Sequence, residues 1–146
     1  MSLRFEILGN PCPKQSVRFT KSGIKYQTKE VIQNADNIRS QIVTQLPPSF
    51  KIIDSPVKVA TVYIFPPLKS FTKKMKKYIE NGGLIIKSTK PDLDNLEKAI
   101  NDAMQGVVIV NDALISRVVK GRYYGMTPKV IISITEITDI FVNKLN

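Results

Sequence analysis

The nine-residue run Val57–Phe65, VKVATVYIF, constrains the fold more than any other stretch. It is β-branched and aromatic almost throughout, and Pro66-Pro67 closes it, so it reads as a strand. The sequence around it divides in the same way. Leu3–Leu8 alternates apolar with charged residues and reads as a first strand, ended by Gly9-Asn10-Pro11-Cys12-Pro13. After a segment from Lys14 to Tyr26 that suits either a short ribbon or a loop, Thr28 looks like a helix cap. Val31, Ala35, Ile38, Ile42, Val43 and Leu46 follow at helical spacing, and Pro47-Pro48 stops them. Thr72 caps a short basic helix that Gly82-Gly83 closes.

A further helix is expected from Asp94 to Met104 or Gln105, with Leu96, Ala99, Ile100, Ala103 and Met104 on its apolar stripe. Val107–Val110 reads as a short strand and Ile115–Tyr124 as a longer one. After a turn at Gly125–Pro128, Lys129–Ile137 reads as the hairpin partner of Ile115–Tyr124. The order β-α-β-α-β-β predicts an α+β fold, with helices packed on one mixed sheet and residues 1–146 forming a single domain.

Composition removes several chemistries. With no His and one Cys, the chain can hold neither a His-ligated zinc, nor a Ser-His-Asp or Cys-His pair, nor an internal disulfide. Cys12, between two prolines and with no His to activate it, is expected to have no catalytic role. The apolar runs are far too short for a membrane span, and the N-terminus lacks the features of a signal peptide, so a cytoplasmic protein without a membrane partner is expected.

The net charge is +10, which suggests a polyanionic partner. The charge is unevenly placed. Residues 66–90 carry seven Lys and one Glu, whereas residues 91–112 carry five acids and one Lys. Carboxylates clustered within a cationic field suit a metal-dependent enzyme acting on phosphates, and equally suit a helix with acids at its N-terminus.

The acids are specific. Asp92 and Asp94 fall on one side of an extended stretch, and Asp94 with Glu97 forms a capping-box-like pair. Asp112 sits in a turn after the helix has reversed the chain, so Asp92, Asp94 and Asp112 are expected to meet. All-oxygen ligation suits Mg²⁺ or Mn²⁺. Lys98, one turn beyond Asp94, is placed either to contact a scissile phosphate or to form an i,i+4 ion pair with Asp94.

The string KPDLDNLEKAINDAM…VVIVNDALI, from Lys90 to Ile115, resembles the RusA family of Holliday-junction endodeoxyribonucleases, often carried by phages and prophages. The opening ILGNPCPKQSVRF extends the likeness. The resemblance implies a homodimer that resolves four-way junction DNA in recombination and repair. It assigns metal binding and catalysis to Asp92, Asp94 and Asp112, a catalytic part to Lys98, and a supporting or structural part to Asp102. The later turn in such enzymes is often Asp-Asp; Asn111-Asp112 here keeps an oxygen donor and loses a charge. Lys14, Arg18, Lys73, Lys74, Lys76 and Lys77 are the expected contacts to the DNA backbone. Phe71 and Tyr78, which flank the lysine run, are expected in the core rather than on a base. Tyr123-Tyr124 is expected to pack rather than act as a nucleophile. The alternatives are a DNA-binding protein without catalysis, its acids serving as helix caps, and a metal-dependent nuclease for other branched or single-stranded DNA.

Overall fold

The computed structural model describes residues 1–14, 18–19, 21–23, 25–26 and 29–145. The elements are β1 (Ser2–Leu8), β2 (Arg18–Phe19), β3 (Lys25–Tyr26), α1 (Lys29–Gln45), β4 (Val57–Phe65), α2 (Lys73–Glu80), β5 (Ile85–Ile86), α3 (Leu93–Met104), β6 (Ile115–Tyr124) and β7 (Lys129–Glu136). Five strands form one mixed sheet in the order β1-β7-β4-β6-β5, and β2 and β3 form a separate two-stranded ribbon. The α+β expectation holds. The Thr28 cap and the side chain of Arg18 lie outside the described residues.

β4 sits at the centre, parallel to β6 and antiparallel to β7. The expected hairpin between the last two strands is therefore not formed: β4 lies between them, with Tyr63 opposite both Arg122 and Val130. The reason is burial. Val57, Val59 and Tyr63 are essentially inaccessible, and only a central position gives such a strand partners on both edges. The expected strand Val107–Val110 is also replaced, by a turn in which the Val107 and Val108 amides donate to the Met104 carbonyl at 3.0 and 2.8 Å. Gly106 opens that turn at a φ of 81°, which a side-chain-bearing residue rarely adopts. Ile109 keeps isolated bridges to Ile53 and Gln105.

One face of the sheet carries Leu3, Phe5 and Ile7 of β1, Val57, Val59 and Tyr63 of β4, and Val130, Ile132 and Ile134 of β7. Ile38 and Ile42 of α1, and Leu96, Ile100, Ala103 and Met104 of α3, complete this core. All five apolar positions predicted for α3 are buried. Full burial of a large aliphatic side chain stabilises by ~1.5–3 kcal/mol, so this stripe fixes the roll of α3 on the sheet.

The two sheet edges differ. At β1, Gln41 and Gln45 of α1 substitute for a neighbouring strand. The Leu8 amide donates to Gln41 Oε1 at 2.8 Å and the Glu6 amide to Gln45 Oε1 at 3.0 Å. The same glutamines donate back to the Leu8 and Glu6 carbonyls at 3.3 and 2.9 Å. An i,i+4 pair on a helix thus meets the i,i+2 spacing of outward backbone groups on a strand. At the opposite edge β5 covers only Tyr123 and Tyr124 of β6, and Ile115–Gly121 pairs with no outer strand among the described residues.

Candidate nucleic-acid and metal site

α3 begins one residue earlier than its sequence suggests. Leu93 is its first residue and Asp92 its N-cap, at φ −68° and ψ 145°, with no side-chain capping bond. Asp94 therefore lies in the first turn. Its carboxylate does not cap the helix and stands 82% exposed. Both aspartates are at the positive end of the helix dipole, which favours carboxylates in their charged form.

Asp94 is paired across the fold. Lys120, in the middle of β6, donates to Asp94 Oδ1 at 2.8 Å and also to Glu97 Oε2. The hydrogen bond from Lys120, followed by its charge, holds the Asp94 carboxyl below the usual aspartate range. Reciprocally, Asp94 and then Glu97 hold the Lys120 ammonium above the usual lysine range. Lys98, expected as the alternative partner of Asp94, is exposed and makes no ion pair among the described residues.

The segment that leads into Asp92 is fixed by side chains from β6. Arg122 donates through Nε to the Lys87 carbonyl at 2.9 Å and through a terminal nitrogen to the Pro91 carbonyl at 2.8 Å. The Lys87 amide returns a bond to the Arg122 carbonyl at 3.1 Å. Lys87 itself is buried. Its ammonium lies 5.0 Å from the Phe65 ring centre and 4.8 Å from that of Tyr124, and it donates to Thr89 Oγ1 at 2.8 Å and to the Tyr124 hydroxyl at 3.2 Å. Ring faces and hydroxyl oxygens here stabilise a cation that has no carboxylate partner among the described residues. Thr89, then Lys87, lower the Tyr124 phenol below its ordinary value. Tyr124 is buried and packs edge-on against Phe71, with ring centres 4.9 Å apart.

Asp112 lies on a different element. It opens a short 3-10 turn, Asp112–Leu114, whose cap is Asn111; the Asn111 Oδ1 accepts from the Ala113 amide at 2.7 Å. The chain reaches Asp112 only after α3 has carried it about 15 Å away from Asp94. From Ile115, about 16 Å of strand leads back to Lys120, the partner of Asp94. Asp92, Asp94 and Asp112 do not form a three-carboxylate cluster among the described residues. Among the described residues no three acidic or cysteine side chains are gathered to hold a metal ion. The pair Asp92 and Asp94 still fits a hard dication, because Mg²⁺ is commonly held by one or two carboxylates, the remaining positions being filled by water and substrate phosphate. Asn111, its side-chain oxygen bonded to the Ala113 amide, caps a turn.

The cationic residues divide into two groups. Lys73, Lys74, Lys76 and Lys77 lie on α2, capped as predicted by Thr72, whose Oγ1 accepts from the Met75 amide at 3.2 Å. All four are exposed and none is ion-paired among the described residues. Lys14 instead pairs with Asp102 of α3, and its amide donates to the Asn95 carbonyl at 3.0 Å. Arg39 of α1 also donates to the Asp102 carbonyl at 3.2 Å. Asp102 therefore anchors the loop after β1 and α1 to the site helix. Lys120, Arg122 and Lys87 are the site residues that sequence reasoning missed, and Glu97, read as a capping partner of Asp94, instead shares Lys120 with it. Lys120 and Arg122 share a face of β6 by period-two spacing, but nothing local marks that face as the one turned towards α3.

The sequence profile described as endodeoxyribonuclease RusA matches residues 9–135. The uncharacterized protein YqaN of Bacillus subtilis (strain 168) is 26% identical over 141 residues, covering 93% of this chain and 97% of that protein. No helix among the described residues is long and apolar enough to cross a membrane.

Proposed function

The chain belongs to the endodeoxyribonuclease RusA family, and from that premise we propose that it resolves Holliday junctions by Mg²⁺-dependent phosphodiester hydrolysis, in the recombination and repair of cytoplasmic, prophage-borne or host DNA. The observation that carries the reading is the exposed Asp92–Asp94 pair at the N-terminus of α3, with unpaired Lys98 one turn on.

In this reading Asp92 and Asp94 hold the dication. When bound, Mg²⁺, or Mn²⁺ in its place, supplies Lewis acidity and a water of lowered pKa. Lys98 meets the scissile phosphate and offsets the charge that develops there. Lys120 keeps Asp94 ionised and aimed, and Arg122 fixes the strap that carries Asp92. The lysines of α2 hold the backbone of the arms. A four-way junction is cut on two symmetry-related strands, so a two-fold homodimer supplies the two sites. Asp112 belongs to the same chemistry through the family motif.

The test is cleavage of a labelled mobile four-way junction in Mg²⁺ by the wild-type chain and by Asp94→Asn. Paired symmetric nicks from the wild type, and binding without cutting by the variant, support a resolvase. Tight binding without cutting by either protein, in Mg²⁺ or Mn²⁺, means a DNA-binding protein instead. Equal cutting of junction and linear duplex removes the junction as the substrate.

A further inference from the structure

The hairpin formed by α2, the turn Asn81–Gly83 and β5 presents apolar side chains to solvent among lysines. Tyr78 is 58% exposed and Ile86 75% exposed, so Tyr78 is not the core residue its sequence position suggests. Between α2 and β5 lies an open pocket of about 400 Å³, lined by Lys74, Met75, Lys77, Tyr78, Asn81 and Ile85. This is within the size range of small-molecule sites.

The lining has three parts with distinct chemistry. The Tyr78 ring lies against Gly83, where any Cβ would collide with it, so the ring is backed on one side and open on the other. Met75 and Ile85 add apolar surface. Asn81 closes α2 through its backbone, while its side-chain amide, one donor and one acceptor group, makes no hydrogen bond among the described residues. Lys74 and Lys77 stand at the rim, and Lys73 and Lys76 extend the same positive helix.

We propose that this pocket takes one unstacked nucleobase of the DNA, stacked on Tyr78 and read at its edge by Asn81, while Lys74 and Lys77 hold the flanking phosphates. Aromatic stacking within a positively charged groove is how proteins bind nucleotides freed from the duplex. The four unpaired lysines select a polyanion over a protein segment as occupant, and the polar amide at the pocket edge matches a base better than an acyl chain. A base freed from its stack is available at the branch point of a junction, so the inference rests on the reading above and gives that reading a means of distinguishing branched from linear DNA.

The test uses the full chain without divalent metal. It is bound to a four-way junction carrying 5-iododeoxyuridine either at the branch point or within an arm, and to a labelled single strand, then irradiated. The branch-point label is expected to crosslink to Tyr78, to lose that crosslink in Tyr78→Ala and to keep it in Tyr78→Phe. Tyr78→Ala is also expected to weaken junction and single-strand binding about 5- to 50-fold and to leave linear-duplex binding unchanged. A bound junction whose crosslink maps away from α2 and β5, or equal affinities for wild type and Tyr78→Ala, overturns the base pocket. A chain that crosslinks a single strand through Tyr78 but neither prefers nor cuts a junction keeps the pocket and removes the resolvase reading.

Discussion

The Lys120 ammonium lies 2.8 Å from Asp94 Oδ1 and meets Glu97 with the same group, so one cation from the middle of the sheet serves two carboxylates on the site helix. The contact neutralises part of the acidic end of α3, while the Asp92 carboxylate makes no capping bond and no ion pair among the described residues. In Asp94→Asn the charge proposed to hold a dication is lost while the helix end is preserved. Metal-ion stabilisation of a phosphoryl transition state amounts to several kcal/mol, so cleavage should fall about 100-fold or more. Junction affinity measured without metal should change little.

The same contact sets a pH dependence. Asp94 has a depressed folded-state pKa, so its contribution to stability is present above the ordinary aspartate value and is lost as pH falls through the depressed one. Lys120 has a raised pKa, so its contribution is present below the ordinary lysine value and is lost as pH rises through the raised one. The pair therefore supports the fold across the neutral range. In Lys120→Met, a carboxyl-resolved NMR titration should show Asp94 returning upwards towards the usual aspartate value. An unchanged Asp94 titration would mean that Lys120 does not hold it in solution.

Arg122 donates to two carbonyls of the strap that delivers Asp92. Hydrogen bonds from a charged group contribute ~1.5–3 kcal/mol each, and part of that remains available to water here. Arg122→Ala should cost about 2–3 kcal/mol in urea unfolding and lower cleavage along with it. Arg122→Lys should recover little of either, because an ammonium cannot reproduce the planar fork across Lys87 and Pro91.

Replacing Lys73, Lys74, Lys76 and Lys77 by Ala should weaken binding to every DNA form to a similar extent. Each phosphate that is no longer neutralised reduces the log-log salt slope by about 0.9, so the fourfold variant should show a slope smaller by roughly 3 to 4. An unchanged slope, measured by titration at several salt concentrations, would place the DNA on another face.

The double substitution Gln41→Ala with Gln45→Ala removes the side chains that complete the β1 edge. Each hydrogen bond removed should cost about 1 kcal/mol, and the bared strand should increase self-association in light scattering.

Much of the fold was legible because the relevant signals are local. The period of Leu96, Ala99, Ile100, Ala103 and Met104 marks one side of a helix in any context, and all five are buried. Thr72 caps α2 as its spacing from Met75 requires. The acids of α3 were found as a run in sequence because a helix N-terminus collects neighbours along the chain. Lys120 was not found, because a lysine in a strand reads as solvent-facing until the sheet is assembled. A chain reversal after α3 does not by itself gather Asp92, Asp94 and Asp112 into a three-carboxylate cluster, and none is gathered among the described residues.

The sequence by itself determined the long helices and strands, where the positive helix and the acidic helix end lie, and which chemistries are absent for want of histidine and cysteine pairs. The tertiary structure decided that β4 separates β6 from β7, that Lys120 rather than Lys98 meets Asp94, that Lys87 is buried between two rings, and that no three acids gather among the described residues. The division has one physical cause. Side-chain period and capping depend on residues a few positions apart, whereas strand order and ion pairing depend on how the whole apolar surface is buried at once, and that choice is made between segments distant in sequence.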